Sequence, residues 1–138
     1  MSEPIVVGNR LELSGTTAIL AVGDILAILA FVVAGMLQHG GNPANVVELL
    51  DTVAPFLIGW LPASFFMGLY APAVLRNWRE TAGRTLVAWL VADLIGQGLR
   101  STSFFGGGFD VFFLVVSLVV GGLLLVVWRA GIAQRTIL

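Results

Sequence analysis

Long apolar runs separated by short polar stretches dominate this chain of 138 residues. A helix needs about 20 apolar residues to cross about 30 Å of hydrocarbon. Four runs are long enough, and we predict membrane-spanning helices at residues 16–37, 52–75, 82–105 and 110–129. The runs do not alternate between polar and apolar residues, as the strands of a membrane barrel do. The pattern therefore predicts an all-α integral membrane protein with a single domain over residues 1–138.

The connections between these runs are short, so each helix should run antiparallel to the next. Turn-forming residues at 38–43 follow the first run, a charged segment at 76–81 follows the second, and a glycine run at 106–108 follows the third. Asp110 suits the start of the fourth helix, where a carboxylate meets the positive end of the helix dipole. We therefore predict an antiparallel four-helix bundle.

The arginines predict the orientation of this bundle, because short cytoplasmic loops are enriched in lysine and arginine. The chain has no lysine, so all seven of its cations are arginines. Six of them lie before the first run, around the second connection, or after the last run: Arg10, Arg76, Arg79, Arg84, Arg129 and Arg135. We expect a multi-pass protein of the cell membrane with both termini on the cytoplasmic side.

The composition indicates that lipid surrounds most side chains. Hydrophobic residues make up 58% of the chain and charged residues 11%, whereas soluble domains average about 25% charged residues. The absence of cysteine excludes disulfides and thiolate metal sites. A net charge of −1 gives no reason to expect a nucleic-acid partner. We expect the lipid bilayer as a partner, together with further copies of this chain or a larger membrane protein.

Two acidic residues interrupt the apolar runs. Asp24 lies in the first run and Asp93 in the third, and a charged side chain at the centre of a span costs about 2.5–3.5 kcal/mol on insertion scales. Because the first and third helices run in the same direction, we expect the two carboxylates at similar depth. The acids indicate a proton, ion or ligand site, or else a structural network that holds the bundle together.

The third run also carries a polar stripe. Trp89, Asp93, Gln97 and Arg100 share one helical face, and the small residues beside that face would let another helix approach closely. We therefore expect the stripe in the interior of the bundle. Arg100 either extends to the outer surface or turns inward, for example onto Trp60 in the second run.

The sequence contains no catalytic motif: it has no nucleophile elbow, no zinc-protease motif and no phosphate-binding loop. The single histidine, His39, has no cluster of carboxylates beside it, so we expect an interfacial residue and no metal site. No cofactor is identifiable. The candidate binding, proton or ion site comprises Asp24, Asp93, Gln97, Arg100, Trp60, Trp89 and His39.

Several short motifs occur in a characteristic order: Asp24-x6-Phe31-x3-Gly35-x3-His39, Pro55-Phe56-x2-Gly59-Trp60, Trp89 with Gly96-x3-Arg100, and Trp128-Arg129. From about Ala18 to Ala130 their spacing resembles the domain-of-unknown-function family 3054, small membrane proteins of archaea and bacteria. The resemblance implies a four-helix membrane protein without a known activity. It also implies that the candidates shared with the family are Asp24, Trp60, Trp89, His39 and Arg100.

Three functions are compatible with these features. The first is a small transporter or channel component that uses the polar residues within the membrane; four helices rarely enclose a pathway alone, so this function predicts a homo-oligomer. The alternative is a protein that binds a lipophilic ligand, or an accessory subunit of a larger membrane complex. A membrane enzyme ranks last, because nothing in the sequence positions a nucleophile or a metal.

Overall fold

The computed structural model describes residues 5–7, 11–71, 77–105 and 110–137. Four helices make up most of these ranges: α1 (Gly15–Gln38), α2 (Val46–Phe66), α3 (Trp78–Arg100) and α4 (Val111–Ile137). The predicted all-α helical bundle is therefore confirmed.

A short hairpin precedes the bundle. Strand β1 (Ile5–Val7) pairs antiparallel with β2 (Leu11–Leu13), so that Ile5 lies opposite Leu13. Hydropathy does not predict this hairpin, because each strand has only three residues and an average over a longer window does not register such short elements.

Polar side chains determine where the helices begin. The side chains of Ser14, Asn45 and Asn77 accept hydrogen bonds from backbone amides in the first turns of α1, α2 and α3, which satisfies donors that have no partner within the helix. Asp110 does the same for α4, as predicted, by accepting a bond from the amide of Phe112 at 2.9 Å. Helices α2 and α3 start earlier than predicted because the asparagine caps, and not the first apolar residues, set their first turns.

The end of α2 differs most from the prediction. The helix ends at Phe66 and not near residue 75, because Gly68 adopts a φ of +67°, a left-handed conformation that glycine tolerates. The chain then continues to Ala71 as a connection in which Gly68 and Leu69 are buried. The predicted helical residues 72–75 and the predicted turn at 106–108 lie outside the described residues.

Each helix packs against its neighbours in the chain, and α4 also packs against α1. The helices thus form a closed ring in which α1 and α3 occupy opposite corners. We name the end of the bundle where α1 begins and α4 ends the terminal end, and the opposite end the distal end.

The interior face of α4 shows how the sequence produces this packing. Buried residues recur at every fourth position along it: Ser117, Gly121, Leu125, Arg129 and Ala133, with Gly122 buried beside this stripe. Residues four apart lie above one another on a helix, so they form one continuous stripe. Gly121 lies against the indole ring of Trp89 on α3, and a side chain at this position would overlap that ring.

Five aromatic side chains fill much of the interior between the helices, and we call them the aromatic layer: Phe31, Phe56, Trp60, Trp89 and Phe113. The centroids of contacting rings are 5.4–6.5 Å apart. These are the separations at which aromatic pairs attract in edge-to-face or tilted geometries.

Three helical segments of the described chain are long and apolar enough to cross a membrane: Gly15–Gln38, Val46–Phe66 and Val111–Gln134. These segments identify a membrane protein. Helix α3 is less apolar, because it carries five charged residues: Arg79, Glu80, Arg84, Asp93 and Arg100. Membrane crossing by α3 and the cytoplasmic location of both termini remain predictions.

Candidate functional site

Asp24 on α1 forms a buried ion pair with Arg129 on α4. The Nε atom of Arg129 donates to Asp24 Oδ1 at 2.9 Å, and its Nη2 atom donates to Asp24 Oδ2. Both side chains are completely buried. The arginine pattern predicts Arg129 after the last span, but α4 continues to Ile137 and includes it. Arg129 lies on the buried stripe of α4, and Asp24 supplies the counter-charge that makes its burial possible.

Tyr70, in the connection after α2, extends this ion pair. Its hydroxyl donates to Asp24 Oδ2 and accepts from Trp60 Nε1 at 3.2 Å. The Arg129 guanidinium lies 4.9 Å from the centroid of the Tyr70 ring and also donates to the carbonyl of Leu69 at 2.7 Å. We call Asp24, Tyr70 and Arg129 the ion-pair cluster. It ties α1, α4 and the connection between α2 and α3 together.

A second polar group surrounds Asp93. Ser117 Oγ lies 2.6 Å from Asp93 Oδ2, and Gln97 Nε2 donates to Asp93 Oδ1 at 3.4 Å. All three side chains are buried, and we call them the Asp93 cluster. Trp89 donates from Nε1 to the backbone carbonyl of Ser117 at 2.9 Å. The predicted interior position of the stripe is therefore correct for Trp89, Asp93 and Gln97.

The two acids do not share a site. Both bond to α4, but their partners Ser117 and Arg129 are twelve residues apart on that helix, which is about 18 Å at 1.5 Å per residue. The expected similar depth is therefore wrong. Because α3 begins at Trp78, Asp93 is the sixteenth residue of its helix, whereas Asp24 is the tenth residue of α1. Asp93 therefore lies closer to the distal end.

Arg100 and His39 come together at the distal end. They line a cavity of about 270 Å³ whose wall also includes Asp110 and Phe113. The Arg100 guanidinium carbon lies 4.5 Å from the Phe113 ring centroid, a distance typical of a cation–π contact. The suggested contact of Arg100 with Trp60 is not observed, because Trp60 points toward Tyr70 and the terminal end.

A larger cleft of about 920 Å³ lies between α1 and α2. Near the terminal end its wall includes the hydroxyl-bearing residues Ser14, Thr17, Ser64 and Tyr70, whereas Ile25 and Leu57 line it further along the helices. We call it the α1–α2 cleft. Its wall therefore changes from hydroxyl-bearing to apolar along the bundle axis, and Tyr70 belongs both to this wall and to the ion-pair cluster.

Three residues of these clusters are not among the site residues predicted from the sequence: Arg129, Tyr70 and Ser117. A signal for Arg129 exists, because apolar residues continue beyond it to Ala133 and it is spaced four residues from Leu125. Tyr70 is the only tyrosine in the sequence, but it follows a helix end that hydropathy does not mark. Ser117 is a single small polar residue within an apolar run, and its spacing does not indicate an acidic partner.

No group of three or more His, Asp or Glu side chains within the described ranges is arranged to hold a metal ion. In the ion-pair cluster the carboxylate of Asp24 is already paired with Arg129. The arrangement can therefore stabilise the bundle, hold a proton at Asp93 or receive a ligand in the α1–α2 cleft.

A protein-family model, described as a protein of unknown function (DUF3054), matches residues 21–132. The chain belongs to the DUF3054 family. The part of this DUF3054 protein that matches contains Asp24, Asp93, Arg129 and the aromatic layer, whereas the hairpin lies before it. Comparison with curated proteins and with solved structures found no match.

Proposed function

We propose that this DUF3054 protein binds an amphipathic, lipid-like molecule in the α1–α2 cleft. The proposal rests on the volume of this cleft together with the residues that line it. A cleft of about 920 Å³ lies in the range of about 300–1,000 Å³ that is usual for small-molecule sites, which are mostly apolar with a few polar groups that fix orientation.

The distribution of residues along the cleft favours one orientation of the ligand. Ser14 caps α1, Thr17 lies in its first turn, and Tyr70 follows α2, so these hydroxyl groups all lie at the terminal end. A polar headgroup could hydrogen-bond there, while an acyl or isoprenoid chain would extend along Ile25 and Leu57. No charged side chain lines this cleft among the described residues, so a neutral headgroup suits it best.

The cleft is also accessible from the side. Leu61 and Phe65 border it and are 70% and 36% exposed, respectively. In a bilayer such exposed apolar side chains contact acyl chains, so a lipid-like molecule could enter laterally without crossing a polar region. This lateral opening supports a lipophilic ligand over a water-soluble one.

Native mass spectrometry of gently extracted protein tests the proposal. We expect a bound mass of lipid size on the wild-type protein, lost in Ala21→Phe because the larger side chain fills the cleft. Ala30→Phe is the matched control, because Ala30 is an exposed residue of the same helix outside the cleft. Equal occupancy in Ala21→Phe and Ala30→Phe, or a wild-type protein without any defined extra mass, would contradict the proposal.

A transporter or channel component is the second candidate, and the buried Asp93 cluster beside the distal cavity favours it. The aromatic layer occupies the interior of the bundle, so a pathway would have to run between copies of the chain. This function therefore requires a homo-oligomer. Flux into liposomes that depends on Asp93, from protein that is a discrete oligomer in native mass spectrometry, would support it; a strictly monomeric protein without flux would exclude it.

A further inference from the structure

The two buried acids have different partners, so we expect them to differ in charge state. Asp24 is paired with the Arg129 guanidinium. The hydrogen-bond partners of Asp93 within the described chain are the uncharged side chains of Ser117 and Gln97. A carboxylate that is buried without a counter-charge is strongly unfavourable, and such a group usually becomes neutral.

The hydrogen bonds of Ser117 indicate independently that Asp93 is protonated. Its Oγ atom lies 2.6 Å from Asp93 Oδ2 and 2.9 Å from the carbonyl oxygen of Leu114. A serine hydroxyl has one hydrogen, and neither a carbonyl nor an ionised carboxylate can donate. Both contacts become full hydrogen bonds only if the carboxylic acid of Asp93 donates to Ser117 Oγ, and Ser117 in turn donates to Leu114.

The contact from Gln97 fits the same assignment. Its Nε2 atom donates to Asp93 Oδ1, which remains an acceptor when Oδ2 carries the hydrogen. The Gln97 oxygen Oε1 is buried without a hydrogen-bond partner. The Asp93 cluster therefore has an unused acceptor next to the acid, which can receive a hydrogen bond from a water molecule.

The wall of the distal cavity approaches this cluster along α3, although neither Asp93 nor Gln97 belongs to that wall. Gln97 lies one helical turn beyond Asp93, and Arg100, which lines the cavity, lies about one turn further along α3. Toward the terminal end, Trp89 packs against Phe31 and Phe56 and closes the interior. Access to Asp93 is therefore expected from the distal end only.

Charged and titratable groups at the distal end come from every helix of the bundle: Arg100 on α3, His39 at the end of α1, Asp110 at the start of α4, and Glu48 and Asp51 on α2. Arg100 acts electrostatically on Asp93 but does not bond to it. His39, Asp51 and Asp110 are exposed. Among these groups, the charge of Arg100 is the one that reaches Asp93.

We propose that Asp93, hydrogen-bonded by Ser117 and Gln97, is a carboxylic acid site that takes up and releases one proton through the distal cavity. The proton reaches a carboxylate oxygen from water in the cavity and returns there, so no other reactant is needed. The inference goes beyond the proposed ligand binding and does not depend on it, because the α1–α2 cleft and the Asp93 cluster share no residue.

Infrared spectroscopy of the full-length protein in lipid nanodiscs tests this site directly, because a protonated carboxylic acid has a carbonyl band distinct from that of a carboxylate. In mildly acidic buffer we expect one such band, which disappears reversibly as the pH is raised. The band should be absent in Asp93→Asn and unchanged in Asp51→Asn, which alters an exposed acid. Absence of the band in the folded wild-type protein, or its persistence in Asp93→Asn, would overturn the proposal.

Ser117→Ala keeps the test decisive if Asp93→Asn does not fold. Loss of the hydroxyl removes the acceptor for the acid hydrogen, so we expect the carbonyl band to remain but to move to higher wavenumber. An unchanged band would place the protonated acid elsewhere. Replacing potassium with sodium at constant pH should leave the band unchanged; its loss in sodium would assign the site to a metal cation in place of a proton.

Discussion

The Asp24–Arg129 ion pair allows a quantitative prediction about stability. Asp24→Asn preserves the size of the side chain but leaves the Arg129 guanidinium completely buried without a counter-charge. Removing one partner of a buried pair typically destabilises a protein by about 3–5 kcal/mol. Since 1.4 kcal/mol is a tenfold change, the ratio of folded to unfolded protein should fall by about two to four powers of ten.

Unfolding in mixed micelles with increasing SDS, followed by tryptophan fluorescence, measures this change. Asp51→Asn is the matched control, because it makes the same substitution at an exposed acid on α2, and we expect no measurable effect from it. If Asp24→Asn and Asp51→Asn unfold at the same SDS fraction, the ion pair does not stabilise the bundle and our reasoning is refuted.

A double variant distinguishes the loss of charge balance from a loss of packing. Asp24→Leu with Arg129→Met removes both charges, and apolar replacement of a buried pair is often neutral. We expect this variant to be more stable than Asp24→Asn. It should not reach wild-type stability, because the Leu69 carbonyl loses its donor, and an unsatisfied buried acceptor costs about 1–3 kcal/mol.

The same unfolding assay tests three further features. Gly121→Ala should destabilise the protein by about 1–3 kcal/mol because the new methyl group meets the Trp89 ring. Gly131→Ala is the control: its methyl group enters open space and should slightly stabilise α4. Equal effects of the two substitutions would contradict the close approach of Gly121 to Trp89. Phe31→Ala should lower the free energy of unfolding by about 3–5 kcal/mol. Phe112→Ala removes a ring that is 77% exposed and should change this free energy little. A larger loss in Phe112→Ala than in Phe31→Ala would show that Phe31 does not belong to the core. Asn45→Ala should lose about 1 kcal/mol of capping energy, and an unchanged midpoint would show that α2 does not need its cap.

Hydropathy predicts the helices of this fold because each run of apolar residues is long. It also identifies Asp24 and Asp93, because an acid within such a run is conspicuous. The helix ends depend on single hydrogen-bonding side chains such as Asn45 and Asn77 and on the conformation of Gly68. These local features do not appear in an average over many residues, so the predicted boundaries shift.

The partners of the two acids could not be predicted from spacing along the chain. Asp24 meets Arg129 only because α4 packs beside α1, and Asp93 meets Ser117 only because α4 also packs beside α3. Hydropathy does not fix the order of helices around a bundle. Arginine statistics also treat every arginine near a helix end as a flanking charge, which is why the inward position of Arg129 was missed.

The distance along the chain between Asp24 and Arg129 has a consequence for biosynthesis. The two residues are separated by 105 positions, which a ribosome adding about 5–20 residues per second needs about 5–20 s to complete. During that interval α1 has already been made, but its acid has no counter-charge. A chain that stops before Arg129 never acquires this counter-charge. The burial of Asp24 on the first helix therefore depends on synthesis of the last helix. Truncated chains should for this reason be unstable and be degraded by membrane quality-control proteases.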